Sequence, residues 1–154
     1  MTRVYRIVRK LYSKKAFDGE GAYQFGGRWS SPGTRLAYTS EYLSLAMIEY
    51  YVHVDPGDLP SDLVVVAADI PDSVSRTRIS ISRLPADWRA TQSPAALATI
   101  GDAFAKARKT AILIVPSALA PSESNWLINP LHPEFAKIRV QRPEPFRYDT
   151  RFFE

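Results

Sequence analysis

Two continuous apolar runs mark the interior of this chain. Residues 63–70 read Leu-Val-Val-Val-Ala-Ala-Asp-Ile, and residues 111–115 read Ala-Ile-Leu-Ile-Val. Runs of this length, closed by Pro71 and Pro116, predict strands buried on both faces. Val4-Tyr5-Arg6-Ile7-Val8 is rich in β-branched and aromatic residues and predicts a strand, as do residues 36–39 and the alternating stretch 136–140. Helical spacing appears twice. Residues 41–53 follow Ser40 as N-cap, with Glu41 in the first turn and Asp55-Pro56-Gly57 as the stop. Residues 94–107 follow Ser93 as cap, with Pro94 at N1 and Leu97, Ile100 and Phe104 on one face.

The rest is less regular. Residues 16–34 hold five of the seven glycines and predict a structured loop. Residues 72–95 are polar and poorly patterned. Residues 116–133 hold four of the twelve prolines and read as irregular, and the aromatic, basic tail 141–154 reads as an edge strand. Strands and helices interleave without a βαβ period. The expected class is α+β, with mixed, mostly antiparallel sheets and flanking helices.

Composition narrows the chemistry more than the fold. The 154 residues are 45% apolar and 23% charged, which suits one domain spanning 1–154. There is no Cys, so thiol nucleophiles and thiolate zinc sites are excluded. The charged N-terminus lacks an apolar segment behind it, and no 18-residue apolar window occurs, so the expected location is the cytoplasm. Net charge is +4, and Arg3, Arg6, Arg9, Lys10, Lys14 and Lys15 all precede the first acid, Asp18. This block reads as a solvated strand face, or as a basic rim for an anion or an acidic partner.

Familiar nucleotide motifs fail on context. Gly19-Glu20-Gly21-Ala22-Tyr23-Gln24 ends in Gln where a dinucleotide fingerprint needs Gly, and Gly27-Arg28 replaces the Lys-Ser/Thr of a P-loop. No Gly-x-Ser-x-Gly occurs. His53 and His132 are the only histidines and have no third ligand at metal spacing, so metal-independent chemistry is expected.

Gly26-Gly27-Arg28-Trp29 is different. Its glycines permit a sharp turn or close ligand approach, and an arginine fork grips phosphate or carboxylate. The same arginine would also serve to brace a loop through carbonyls. Glu49 falls on the helix face of Tyr42, Leu45, Ala46, Val52 and His53, expected to point inward, where a carboxylate needs a partner. It reads either as half of a salt bridge or as a carboxylate held in a cleft. Tyr38-Thr39-Ser40 joins a strand to a helix, and Ser117 directly follows a buried strand. Asn125 lies in the amide-rich Asn125-Trp126-Leu127-Ile128-Asn129-Pro130. Each of these also has an ordinary reading as cap, turn or loop brace.

In this order, with His132-Pro133 closing the series, these motifs resemble the RES-domain toxins of RES–Xre toxin–antitoxin pairs. The likeness spans about residues 3–140, with Ser30 standing where Asn is more usual. It implies an ADP-ribosyltransferase-like fold and cleavage of the nicotinamide–ribose bond of NAD+, by hydrolysis or phosphorolysis. NAD+ is then the substrate, and no other cofactor or metal is implied. The resemblance implies that Arg28, Glu49 and Ser117 are catalytic. Arg28, Tyr38, Thr39, Ser40 and Asn125 are expected to bind substrate. The partner expected is an Xre-type helix-turn-helix antitoxin, with nucleic acid met only through that complex; homodimerisation stays open. The alternatives are a protein ADP-ribosyltransferase, a nucleic-acid-acting toxin and a non-catalytic binding module.

Overall fold

Both apolar runs become strands deep in one sheet. The computed structural model describes residues 1–153. β3 (Leu63–Ile70) pairs along its whole length with β1 (Thr2–Arg9), from Thr2 opposite Ile70 to Arg9 opposite Leu63. β5 (Ile112–Pro116) is buried at all five positions. It pairs with β6 (Ser124–Ile128), which pairs with β2 (Ala37–Ser40), which meets β1 at Tyr5 opposite Ser40. Short β4 (Arg76–Arg78) lies parallel to β5 at one edge, and β7 (Arg139–Val140) and β8 (Glu144–Pro145) both pair with β3 at the other. The order is β4-β5-β6-β2-β1-β3-β7, antiparallel except for the β4–β5 pair. The expected mixed, mostly antiparallel α+β class is what the chain adopts.

Continuous apolar strands need cover on both faces, and they have it. One face buries Val4, Val8, Val66, Ile114, Trp126 and Ile128 with Phe17. The other buries Leu113, Val115 and Leu127 against Trp29, Trp88 and Leu97. Leu97 belongs to α3 (Ala95–Ala107). A third cluster joins Ile7 and Leu63 to Ala46 of α2 (Leu43–Tyr51) and to Tyr148 from the tail.

Several expectations fail locally. The helix expected over 41–53 is shorter. Ser40 caps nothing because strand pairing claims it: it lies opposite both Tyr5 and Asn125, and Tyr42 takes the N-cap position without a side-chain bond. Pro94 is the N-cap of α3 rather than N1, and Ser93 does not cap. The glycine-rich loop contains α1 (Glu20–Phe25), entered through Gly19 at φ +73°. β6 forms inside the stretch read as irregular, and β4 inside the polar middle; both rely on ladder bonds from β5 rather than on their own pattern. Residues 136 and 137 end a 3-10 turn (Pro133–Lys137) and Ile138 caps it, leaving two residues of strand, Arg139–Val140. Among the described residues no helix is long and apolar enough to cross a membrane.

Candidate active site

The Gly-Gly-Arg-Trp segment is a tight turn braced from below. Gly26 has φ +72°, and the Gly27 N–H donates to the Ser30 carbonyl at 2.9 Å. A Cβ on Gly27 would lie 2.6 Å from the Tyr38 hydroxyl, so any side chain there would have to displace the Tyr38 ring. That hydroxyl accepts from the Trp29 N–H at 3.0 Å and bonds the Ser30 Oγ at 2.7 Å. Burial pushes its pKa up to about 12. Trp29 is the anchor: it is buried in the core, and its carbonyl sits so close to Gly101 of α3 that a Cβ there would come within 1.6 Å. Asp102 in the next turn position accepts from the Ser31 N–H at 2.9 Å.

This bracing sends Arg28 toward the turn at 85–90. Its Nη1 donates to the carbonyls of Trp88 at 3.0 Å and Ala90 at 2.9 Å. The loop-bracing role therefore occupies one edge of the guanidinium. Among the described residues no carboxylate pairs with Arg28, and its Nη2 and Nε have no protein acceptor.

Glu49 and Ser117 are in direct contact. Ser117, fully buried just past the end of β5, donates from Oγ to Glu49 Oε1 at 2.7 Å. The same Oγ accepts from the N–H groups of Leu119 and Ala120, each at 3.1 Å. A hydroxyl has one proton and two lone pairs. With both lone pairs facing N–H donors, the proton is committed to Glu49. Ser117 thus orients the carboxylate and leaves Oε2 open. Glu49 itself is half-buried, and the helix face expected to point inward does so only in part: Leu45 and Ala46 are buried, while Tyr42 and Val52 are exposed.

Strand register sorts the remaining candidates. Ser40, Asn125 and Val115 form one row across β2, β6 and β5, on the same side as Tyr38, and Ser117 continues that side past the strand end. Asn125 Nδ2 donates to Ser40 Oγ at 3.2 Å and to the Thr39 carbonyl at 3.3 Å. Thr39, expected at the site, points to the opposite face, as strand alternation requires. Its hydroxyl donates to the Trp126 carbonyl at 2.7 Å within the core. Arg28 does not touch Glu49 directly; the two are joined through protein.

That link is what sequence reading missed. The turn held by Arg28 contains Arg89, whose Nε donates to the Ala118 carbonyl at 2.8 Å, beside Ser117. The one hint was Trp88-Arg89, an arginine beside a tryptophan as in Arg28-Trp29. The basic N-terminus also reads differently. Arg3 pairs with Asp69 and Arg9 with Asp62, while Arg6 turns inward to the Tyr38 carbonyl at 2.8 Å, and burial pulls its pKa down. The rim is therefore limited to the lysines of the following 3-10 turn. Concavities of about 350 and 280 Å³ lie elsewhere, one beside Asp149 and Phe152, the other between Ile100, Phe104 and Leu113. His132 is spent on its own turn, where Nδ1 accepts from the Glu134 N–H at 3.0 Å.

A family model of the RES domain matches residues 3–149. The chain belongs to the RES-domain family. It is 33% identical over 154 residues to a Sphingobium protein named Prs ADP-ribosylating toxin, covering 97% of this chain and 96% of that one. It is 34% identical over 149 residues to Toxin Res of Photorhabdus laumondii, covering 96% and 95%. The solved M. tuberculosis MbcT–MbcA toxin–antitoxin complex contains a chain of the same fold: TM-score 0.76, 16% identity, with 94% of this chain and 84% of that chain covered. The Glu49–Ser117 contact in this RES-domain chain unites two motifs 68 positions apart in the sequence.

Proposed function

We propose that this RES-domain protein is the toxin of a toxin–antitoxin pair and that it breaks the nicotinamide–ribose bond of NAD+ at the Glu49–Ser117 pair. The observation that supports this most is the bond from Ser117 Oγ to Glu49 Oε1, which aims one carboxylate with its second oxygen free. Nicotinamide leaves as a neutral pyridine, so the reaction needs no general acid. Positive charge builds on the ribose as the bond breaks, as in glycoside hydrolysis. A fixed carboxylate beside the ribose stabilises that charge and accepts from its hydroxyls. The free edge of Arg28 takes a phosphate. Asn125 and Ser40, at the same sheet end, bond the ribose or the carboxamide. Water or phosphate completes the reaction. The partner is an Xre-type antitoxin in the cytoplasm.

A second reading is protein ADP-ribosylation, favoured by the printed name of the Sphingobium relative. Incubating purified protein with NAD+ tests the first reading through nicotinamide release. Glu49→Gln should lower kcat by at least about 100-fold, the scale of losing one preorganised electrostatic partner. Equal turnover in wild type and Glu49→Gln overturns the role of Glu49. Label from biotinylated NAD+ transferred to a protein, with little free ADP-ribose, would favour the second reading.

A further inference from the structure

We infer that Arg89 is the second phosphate-binding cation of the site, and that with Arg28 it selects a pyrophosphate-bearing dinucleotide over a mononucleotide. This rests on the NAD+ reading. Two arginines are tied to the turn at 85–90: Arg28 Nη1 binds the carbonyls on either side of residue 89, and Arg89, within the turn, sends its Nε to the Ala118 carbonyl. Like charges gathered at one turn need a counter-charge. Asp87 shares the turn, yet among the described residues neither arginine forms an ion pair with it or with any other acid. Arg89 is exposed, and its Nη1 and Nη2 have no protein acceptor among the described residues. Its anchor, the Ala118 carbonyl, adjoins the serine that orients Glu49. Arg28 has only part of its fork free, which suits one phosphate. A pyrophosphate has two, and Arg89 offers the second fork from the same turn.

The test uses the full chain, wild type and the variants Arg89→Ala, Arg89→Lys and Arg83→Ala. Arg83 is an exposed cation earlier in the same polar stretch, and it removes the same charge. KM and kcat for NAD+ come from nicotinamide release, and the ADP-ribose Kd comes from calorimetry. Arg89→Ala should raise both KM and the ADP-ribose Kd about 10- to 100-fold, the range for a lost hydrogen bond to a charged group, with kcat changed less than about threefold. Affinity for nicotinamide mononucleotide should fall less. Arg89→Lys should recover part of the loss, and Arg83→Ala should match wild type. An unchanged KM and Kd in Arg89→Ala, a fall in kcat alone, or an equal effect from Arg83→Ala overturns the inference. If wild type neither releases nicotinamide nor binds ADP-ribose, the NAD+ reading fails, and the inference fails with it.

Discussion

Ser117 has one proton to give, and its neighbours decide where it goes. Two backbone N–H groups fill its lone pairs, so the hydroxyl serves Glu49 and not a substrate carbonyl. Ser117→Ala should therefore act through the carboxylate, lowering kcat more than it raises KM. It should also destabilise the fold by about 1–3 kcal/mol, because buried donors lose their acceptor. Nicotinamide-release kinetics and urea denaturation check the two parts separately. Tyr38 carries a different prediction. Its folded pKa is raised from 10.0 to about 12, so the folded state holds the phenol proton longer than the unfolded one. The sign follows from linkage: stability is unaffected below pH 10 and falls as pH rises from 10 toward 12. Urea midpoints across that range should fall in wild type and flatten in Tyr38→Phe, after correction for Tyr148, whose pKa burial also raises to about 12. All the candidate residues except Arg89 were legible from motif order. Their contacts were not, since Glu49 and Ser117 meet only when α2 and the end of β5 are folded together.

Between elements, the Arg28 turn and α3 meet with no space to spare. Gly101 looks like an unfavourable helix residue by propensity. It is there because the Trp29 carbonyl occupies the position of its missing Cβ. Gly101→Ala should cost about 3 kcal/mol or more, at the upper end of overpacking effects, and should shift the urea midpoint without aiding activity. Asp102 ties the same pair. Burial pushes its carboxyl up, but hydrogen bonds from Ser31 and Thr34 outweigh this and hold it below the usual range. Its stabilising contribution is present above the ordinary carboxylate pKa and lost as pH falls through the depressed one. β4, β6 and α1 were not legible, for a common reason. Each is short, and each takes its conformation from neighbours: β4 and β6 from the ladders of β5, and α1 from the Gly19 bend and an Asp18 side chain that accepts from the Glu20 N–H.

Across the whole molecule, the C-terminal tail braces the helix that carries Glu49. Tyr148 donates to the Met47 carbonyl at 2.6 Å, and Tyr51 donates to the Phe152 carbonyl at 2.9 Å. Phe146, Tyr148, Phe152 and Phe153 cluster with Tyr51 through tilted and edge contacts. Removing residues 142–154 should strip this cover, speed amide exchange across α2, and lower nicotinamide release more than Tyr148→Phe does. Hydrogen exchange read by mass spectrometry checks the first effect. A tail exchanging fast while α2 stays protected would show that the brace is not needed.

The chain alone determined the buried strands β3 and β5, the mixed, mostly antiparallel class, and the set of residues from which a site could be built. Those features are carried by local pattern: apolar runs, glycine pairs and motifs in fixed order. Tertiary structure decided which candidates act together. Strand alternation sent Thr39 into the core and kept Ser40 and Asn125 on the site side. Strand alternation put Ser117, just past the end of β5, on the side of Ser40 and Asn125, where it bonds Glu49. A turn with no pattern of its own joined Arg28 to that pair through Arg89. Hydrogen bonds between distant segments have no periodicity along the chain, so no reading of local pattern contains them.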